Sequence, residues 1–121
     1  MTAEEFEALV AEAVAEIPDR ILGYLDNVAI TVQLWPTQAQ LRHSRVGPGY
    51  TLFGLYEGIP LTQRGAHYNL VPPDRITIFQ GPIEQYCHTP QAIREQVRKT
   101  VIHELAHHFG FDEQGIRSLG Y

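Results

Sequence analysis

The first apolar positions of the chain recur at intervals of three and four residues, with acidic side chains between them. The apolar positions are Phe6, Leu9, Val10, Ala13, Val14 and Ile17. This spacing predicts an amphipathic helix with one buried face. Thr2 and Glu5 stand three residues apart, as in a capping box, and Pro18 follows the last apolar position. We therefore expect a helix between Thr2 and Pro18, followed by a short second helical turn at residues 21–25.

The middle of the chain alternates with a period of two residues instead. Residues 28–34, 51–56 and 75–80 are rich in β-branched and aromatic side chains. Each segment is typical of a β-strand. Residues 35–49 and 61–74 are predicted to be loops, residues 57–60 a turn, and Gly81-Pro82 the end of the third strand.

A long helix is predicted near the end of the chain. Thr89 followed by Pro90 is typical of a helix cap and first turn, and the helical pattern reaches Phe109. The second half of this helix is apolar around most of its circumference, which indicates a position in the centre of the domain. The order α-β-β-β-α predicts an α+β fold, in which a small twisted sheet packs against this central helix and an amphipathic helix precedes it.

Two histidines four residues apart, His103 and His107, lie in the apolar half of that helix. Residues at this spacing project from one helix face with about 5–6 Å between their Cβ atoms. Both imidazoles can then reach one Zn²⁺ ion at roughly 2.0–2.1 Å. Glu104 lies on the same side, where it can hold and deprotonate a metal-bound water. The pattern predicts one Zn²⁺ ion, with Glu104 as the general base.

A glycine and an acidic residue follow at positions that suit a third metal ligand. An unbroken helix would carry residue 113 about 9 Å beyond residue 107 along the axis. Gly110 can end the helix in a left-handed conformation, so that the chain turns back. We predict Glu113 as the third protein ligand, with Asp112 as the alternative. Three protein ligands leave the fourth position for water, as in catalytic zinc sites.

Three other side chains of metal-binding type receive a different interpretation. His108 points about 100° around the helix from His107 and is expected to be a packing or surface residue and not a ligand. Cys87 and His88 precede the long helix and are not expected to bind the metal.

Length and composition narrow the class of protein further. The chain has 121 residues, which predicts a single domain over residues 1–121. Its net charge of -5 argues against nucleic acid as a partner. No apolar run reaches the ~20 residues of a membrane span. A single cysteine, Cys87, and an acidic N-terminal segment without a signal-peptide pattern favour a cytoplasmic location.

The string His103-Glu104-x-x-His107-x-x-Gly110-x-x-Glu113 resembles the extended zinc signature of the metzincins, with an acid in place of the third histidine. Together with residues 54–61 and 74–83, it is similar to the small bacterial zincin-like family of minimal metallopeptidases. The resemblance covers roughly residues 28 to 116. It implies a zincin-like fold and zinc-dependent hydrolysis of peptide bonds.

The resemblance also implies a substrate-binding strand. In zincins, the strand before the active-site helix commonly forms the edge of the cleft and pairs with an extended peptide. On this sequence, that role falls on the backbone of Arg75, Ile76, Thr77, Ile78, Phe79 and Gln80. Metzincins also have a methionine-containing turn beneath the metal, whereas the only methionine here is Met1. We therefore expect one of three outcomes: a partner chain or a second copy completes the cleft around a peptide or protein substrate, the substrate is small or loosely held, or peptidase activity is weak or lost.

Two other functions stay open from the sequence. A non-catalytic zinc protein would use the metal to stabilise its fold and would bind another protein or peptide. An RNA-cleaving enzyme is the other, because the motif from His103 to Glu113 is similar to that of the bacterial ribosomal-RNA maturation endonucleases. That family has a glycine where this chain has Glu104 and a histidine where it has Glu113, and the acidic net charge fits RNA poorly.

Overall fold

A computed structural model describes residues 1–44, 52–58 and 73–110 of the chain. Helix α1 (Ala3–Ala15) is followed by helix α2 (Asp19–Leu22) and a 3₁₀ turn (Gly23–Leu25). Strand β1 (Val28–Gln33), helix α3 (Gln38–Ser44) and strand β2 (Gly54–Glu57) come next. Strand β3 (Asp74–Phe79) leads into helix α4 (Gln80–Tyr86) and then into helix α5 (Pro90–Phe109).

Helix α1 begins at the capping box that the sequence predicts. The backbone N–H of Glu5 donates to Thr2 Oγ1 over 3.1 Å, and the Thr2 N–H donates to Glu5 Oε1 over 3.3 Å. The predicted apolar face is buried at Phe6, Val10 and Ala13. This face packs against α5. Helix α1 therefore forms one wall of the core, as predicted.

Helix α5 is the central helix of the fold. The N–H of Ala92 donates to Thr89 Oγ1 over 3.0 Å, which confirms the predicted cap. The helix ends at Phe109, and Gly110 follows with a φ of 78° in the left-handed region, also as predicted. The buried residues of α5 are Ile93, Val97, Thr100, Val101, Ile102, Leu105 and Ala106. None of the helices in the described ranges is long and apolar enough to cross a membrane.

The three described strands form a mixed sheet in the order β1-β3-β2. Strands β1 and β3 are parallel, with Ile30 opposite Ile76. Strands β2 and β3 are antiparallel, with Tyr56 also opposite Ile76. One face of this sheet packs against α1 and α5 through Ile76 and Ile78, which are fully buried. The fold is α+β with a small mixed sheet, as the sequence predicts.

The expectation that Arg75, Ile76, Thr77, Ile78, Phe79 and Gln80 form an edge strand is wrong. Residues 75–78 pair with β1 on one side and with β2 on the other, so the hydrogen-bonding groups of this backbone are already used within the sheet. Gln80 belongs to α4. Among the described strands, the edge that lies beside α5 is β2.

Two helices lie where the sequence predicts a loop or a strand end. Helix α3 falls in the segment predicted to be a loop, and Thr37 and Gln40 cap it with reciprocal hydrogen bonds of 3.1 and 2.9 Å. Strand β3 ends at Phe79, close to the predicted end at Gly81 and Pro82, but these two residues lie in the first turn of α4, where a proline is tolerated. A Cβ atom at Gly81 would approach the Trp35 ring to 2.6 Å, so only glycine leaves room for this contact.

Candidate metal centre and active site

The exposed face of α5 carries the two histidines of the predicted metal site. His103 and His107 are both exposed, and the His107 side chain is 79% accessible. Glu104 lies beside them with a side chain that is only 20% accessible, and its Oε2 atom is 4.0 Å from His107 Nδ1. Burial of Leu105 and Ala106 on the opposite face holds this part of the helix in the core. The helix therefore presents two imidazoles and one carboxylate to the same side.

The Glu104 carboxylate is held by the backbone of the neighbouring strand. The N–H of Tyr56 donates to Glu104 Oε1 over 2.8 Å. In the β2–β3 ladder, Phe79 N–H donates to Phe53 O, so the backbone groups of Leu55 and Glu57 also face β3. Those of Gly54 and Tyr56 face outward by the same alternation. Glu104 therefore accepts a hydrogen bond from an N–H of β2 that faces away from β3.

The environment of Glu104 raises its affinity for a proton. Burial raises the pKa of this carboxyl above its usual value, because desolvation disfavours the charged form. The Tyr56 N–H and the nearby imidazoles of His107 and His103 oppose the rise but do not cancel it. A carboxylate with a raised pKa is a better proton acceptor than an exposed one, as a general base requires.

Gly54 brings strand β2 close enough to α5 for this contact. A Cβ atom at Gly54 would lie 2.5 Å from Thr100 Cγ2 and 3.1 Å from the backbone oxygen of Thr77. Neither neighbour has room for it, since Thr100 is buried against the strand. The absence of a side chain at Gly54 therefore sets the distance between the edge strand and the helix.

Two open pockets adjoin Glu104, one toward each end of α5. The larger, of about 440 Å³, is lined by Ser44, Leu52, Leu55, Tyr56, His107 and His108 together with Glu104. The smaller, of about 230 Å³, lies toward the start of the helix, where Gly54, Lys99, Thr100 and His103 contribute to its wall with Glu104. Glu104 thus stands between two surfaces that could receive the parts of a substrate on either side of a cleaved bond.

The predicted third ligand lies outside the residues that the structure describes. Glu113 and its alternative Asp112 both follow Gly110, where the description ends. Within the described ranges, no group of three His, Cys, Asp or Glu residues is arranged to hold a metal ion. His103 and His107 fit two of the three protein ligands of a zinc site in donor type, spacing and exposure. A complete site would need a donor from outside the described residues, where Glu113 and Asp112 lie.

Sequence reasoning missed the partners of Glu104 in the sheet. The Tyr56 hydroxyl donates to Asp74 Oδ2 over 2.7 Å, and its ring stacks on His108 with 3.9 Å between centroids. His108 therefore packs against a neighbour, as expected. No local pattern connects Tyr56 with Glu104, because the contact depends on how the strand lies against the helix. Cys87 and His88 line a different pocket, which does not include Glu104.

Comparison with known proteins agrees with this fold. The family model described as zincin-like metallopeptidase matches residues 25–121. The chain therefore belongs to the zincin-like metallopeptidase family, as its motif indicates.

A solved structure has a similar fold. It is a conserved hypothetical protein from Thermo thermophilus, with a TM-score of 0.56 and 20% sequence identity. The alignment covers 90% of this chain and 94% of the other. None of the curated proteins matches the chain.

Proposed function

We propose that this chain is a zinc-dependent peptidase. His103, His107 and Glu113, or Asp112 in place of Glu113, would bind one Zn²⁺ ion, and Glu104 would act as the general base. The observation that carries this proposal is the half-buried Glu104 carboxylate, which lies between two exposed histidines of α5 and adjoins two pockets. Zinc, when bound, polarises a scissile carbonyl and lowers the pKa of an attacking water to about 7.

Glu104 would move the proton in this reaction. Its carboxylate would accept a proton from the attacking water and later donate it to the amine that leaves. Oε1 accepts the Tyr56 N–H, while Oε2 faces the side of the helix that carries His107. Oε1 would therefore hold the side chain in place, and Oε2 would exchange the proton.

A peptide or protein segment is the substrate that this arrangement favours. The two pockets beside Glu104 would take the side chains that flank the cleaved bond. In the described part of the chain both pockets are open to solvent. A partner chain or a second copy of this chain would complete the walls of the cleft. We assign the edge of the cleft to β2 in place of β3, because among the described strands β2 lies at the edge beside α5.

A Glu104→Gln variant tests the proposed function. The variant should bind one zinc ion per chain, as measured by elemental analysis, and lose about 10²- to 10⁴-fold in the cleavage rate of a fluorogenic peptide library. Glu95→Gln is the matched control, because Glu95 is an exposed acid of the same helix. It should retain full activity, and a chelator should abolish the activity of the wild-type protein.

Three results would contradict the proposal. Equal cleavage by Glu104→Gln and wild type would exclude the general base. A wild-type protein that never takes up stoichiometric zinc would exclude the metal. X-ray absorption at the zinc edge that shows four protein ligands would favour a non-catalytic zinc protein.

A further inference from the structure

We propose that Tyr56 is a positioning residue for Glu104. We call the group formed by Tyr56, Asp74, His108 and Glu104 the Tyr56 clasp. The catalytic role of this group rests on the proposed function above, whereas the contacts within the group do not depend on it. In the clasp, the backbone N–H of Tyr56 would hold the carboxylate of Glu104, the general base. The Tyr56 side chain would hold that backbone in place through its hydroxyl, which contacts Asp74, and through its ring, which contacts His108.

The first part of the clasp is the backbone hydrogen bond. A glutamate on an exposed helix face ordinarily samples several rotamers. Here the Tyr56 N–H holds Glu104 Oε1 at 2.8 Å, and the bond involves a charged acceptor in a half-buried setting. Since the donor belongs to a strand paired with β3, it has less freedom to move than a side-chain donor would have.

The second part fixes Tyr56 itself. Its hydroxyl donates to Asp74 Oδ2 on the neighbouring strand, over 2.7 Å. Its ring stacks on His108 at an interplanar angle of 14° and meets Phe109 edge-on, with 6.3 Å between centroids. One end of the side chain is thus attached to the sheet and its face to the end of α5. Tyrosine supplies both contacts, whereas phenylalanine would keep only the ring contact.

The two parts together join the edge strand to the catalytic helix. If the ring contact or the hydroxyl bond were lost, the backbone at residue 56 could shift relative to α5. A shift of about 1 Å in a catalytic group can cost up to ~100-fold in rate. A role limited to stability predicts something different, because such a variant would lose folded protein while the remaining folded molecules kept their turnover number.

Amide hydrogen exchange in the metal-free protein tests the clasp directly. The Tyr56 amide faces away from β3 and donates to Glu104, so loss of this carboxylate should lower the protection of the amide. Exchange at Tyr56 should be about 10-fold or more faster in Glu104→Ala than in wild type. The amides of Leu55 and Glu57, which face β3, should be unchanged. Equal exchange at Tyr56 in both proteins would overturn the proposal, whether or not the protein binds zinc.

Replacement of the amide by an ester at residue 56 tests the catalytic consequence. The ester removes the N–H and keeps the tyrosine side chain. In the zinc-loaded protein, kcat should fall about 10- to 100-fold while KM and zinc stoichiometry change little. An ester at residue 57 is the matched control, because that N–H also faces β3 and Glu57 lines neither pocket beside Glu104. It should lower stability and leave kcat unchanged.

Tyr56→Phe and Asp74→Asn should give smaller losses in kcat, of about 3- to 10-fold. Equal kcat in the two esters would overturn the positioning role. A wild-type protein that shows no peptide cleavage would refute the proposed function instead, while the exchange experiment would still decide whether the Tyr56 amide is bonded to Glu104.

Discussion

The two faces of helix α5 contrast sharply in what they contact. One face buries Val97, Val101 and Leu105 completely against α1 and the sheet. The other presents His103 and His107 to solvent, and the His107 side chain is 79% accessible. Residues adjacent in sequence therefore have separate roles. The buried face fixes the helix, and the exposed face carries the two histidines of the proposed metal site.

Leu105→Ala should have the largest effect on stability. The substitution leaves a cavity in the core beside Glu104 and should lower the free energy of unfolding by about 2–5 kcal/mol. Urea denaturation measures this change. The zinc content of the molecules that remain folded should stay at one ion per chain. A loss below about 1 kcal/mol would mean that this face contributes less to the core than its burial indicates.

Gly54→Ala should disturb the close contact between strand β2 and helix α5, which lies where the buried face of α5 meets its exposed face. The new Cβ atom would press on Thr100 and on the backbone of Thr77, which should cost about 1–3 kcal/mol. It should also accelerate amide exchange at Tyr56, because β2 would move away from α5. Gly23→Ala is the control, since nothing lies within 4 Å of a Cβ atom there. Equal stability of the two variants would contradict the close approach of strand and helix.

Gly110→Ala should affect both stability and the metal. A non-glycine residue in the left-handed conformation costs about 1–2 kcal/mol, and Gly110 has a φ of 78°. If the backbone at residue 110 relaxed to avoid this strain, the segment that leads to Glu113 would take another direction. Zinc binding should then be weaker in a calorimetric titration. Gly110→Asn should be milder on both measures, because asparagine tolerates this conformation better. Unchanged zinc affinity in the alanine variant would separate the turn from the metal site.

His107→Ala should have the smallest effect on stability and a large effect on the metal. An exposed side chain away from the core contributes within about 0.5 kcal/mol to the free energy of unfolding. Zinc binding should nevertheless be lost, because one of the two imidazoles is gone. Urea denaturation and calorimetry on the same metal-free preparation test both statements. A strongly destabilised variant would show that the exposed face also contributes to packing.

The sequence predicts α1 and α5 well because their signals are local. Thr2 and Glu5 cap α1, Thr89 caps α5, and Gly110 ends it, all within a few residues of the helix that each affects. The spacing of His103, Glu104 and His107 fixes their common face for the same reason. Helix α3 also has a local signal in the sequence, because Thr37 and Gln40 stand three residues apart and form a capping box. This pair predicts the start of a helix where the segment as a whole resembles a loop.

The strand order and the partners of Glu104 had no such signal. The segment of β3 has a clear strand pattern, but its place in the middle of the sheet depends on pairing with both β1 and β2. The bond from Tyr56 to Glu104 joins residues 48 positions apart. Whether a strand lies at an edge, and which backbone group faces a helix, are set by these long-range contacts, so the position of the cleft edge was predicted on the wrong strand.

The ion pairs between α1 and α5 bear on how the protein acquires its fold. Arg94 pairs with Glu12 and Arg98 with Glu16, each across 82 positions of the chain. Closing so long a loop has an entropic cost that local contacts do not repay, which slows folding. During synthesis on the ribosome, the apolar face of α1 is complete long before α5, the helix that buries it, has been made. Until then, the nascent chain exposes an apolar surface that can bind chaperones or aggregate.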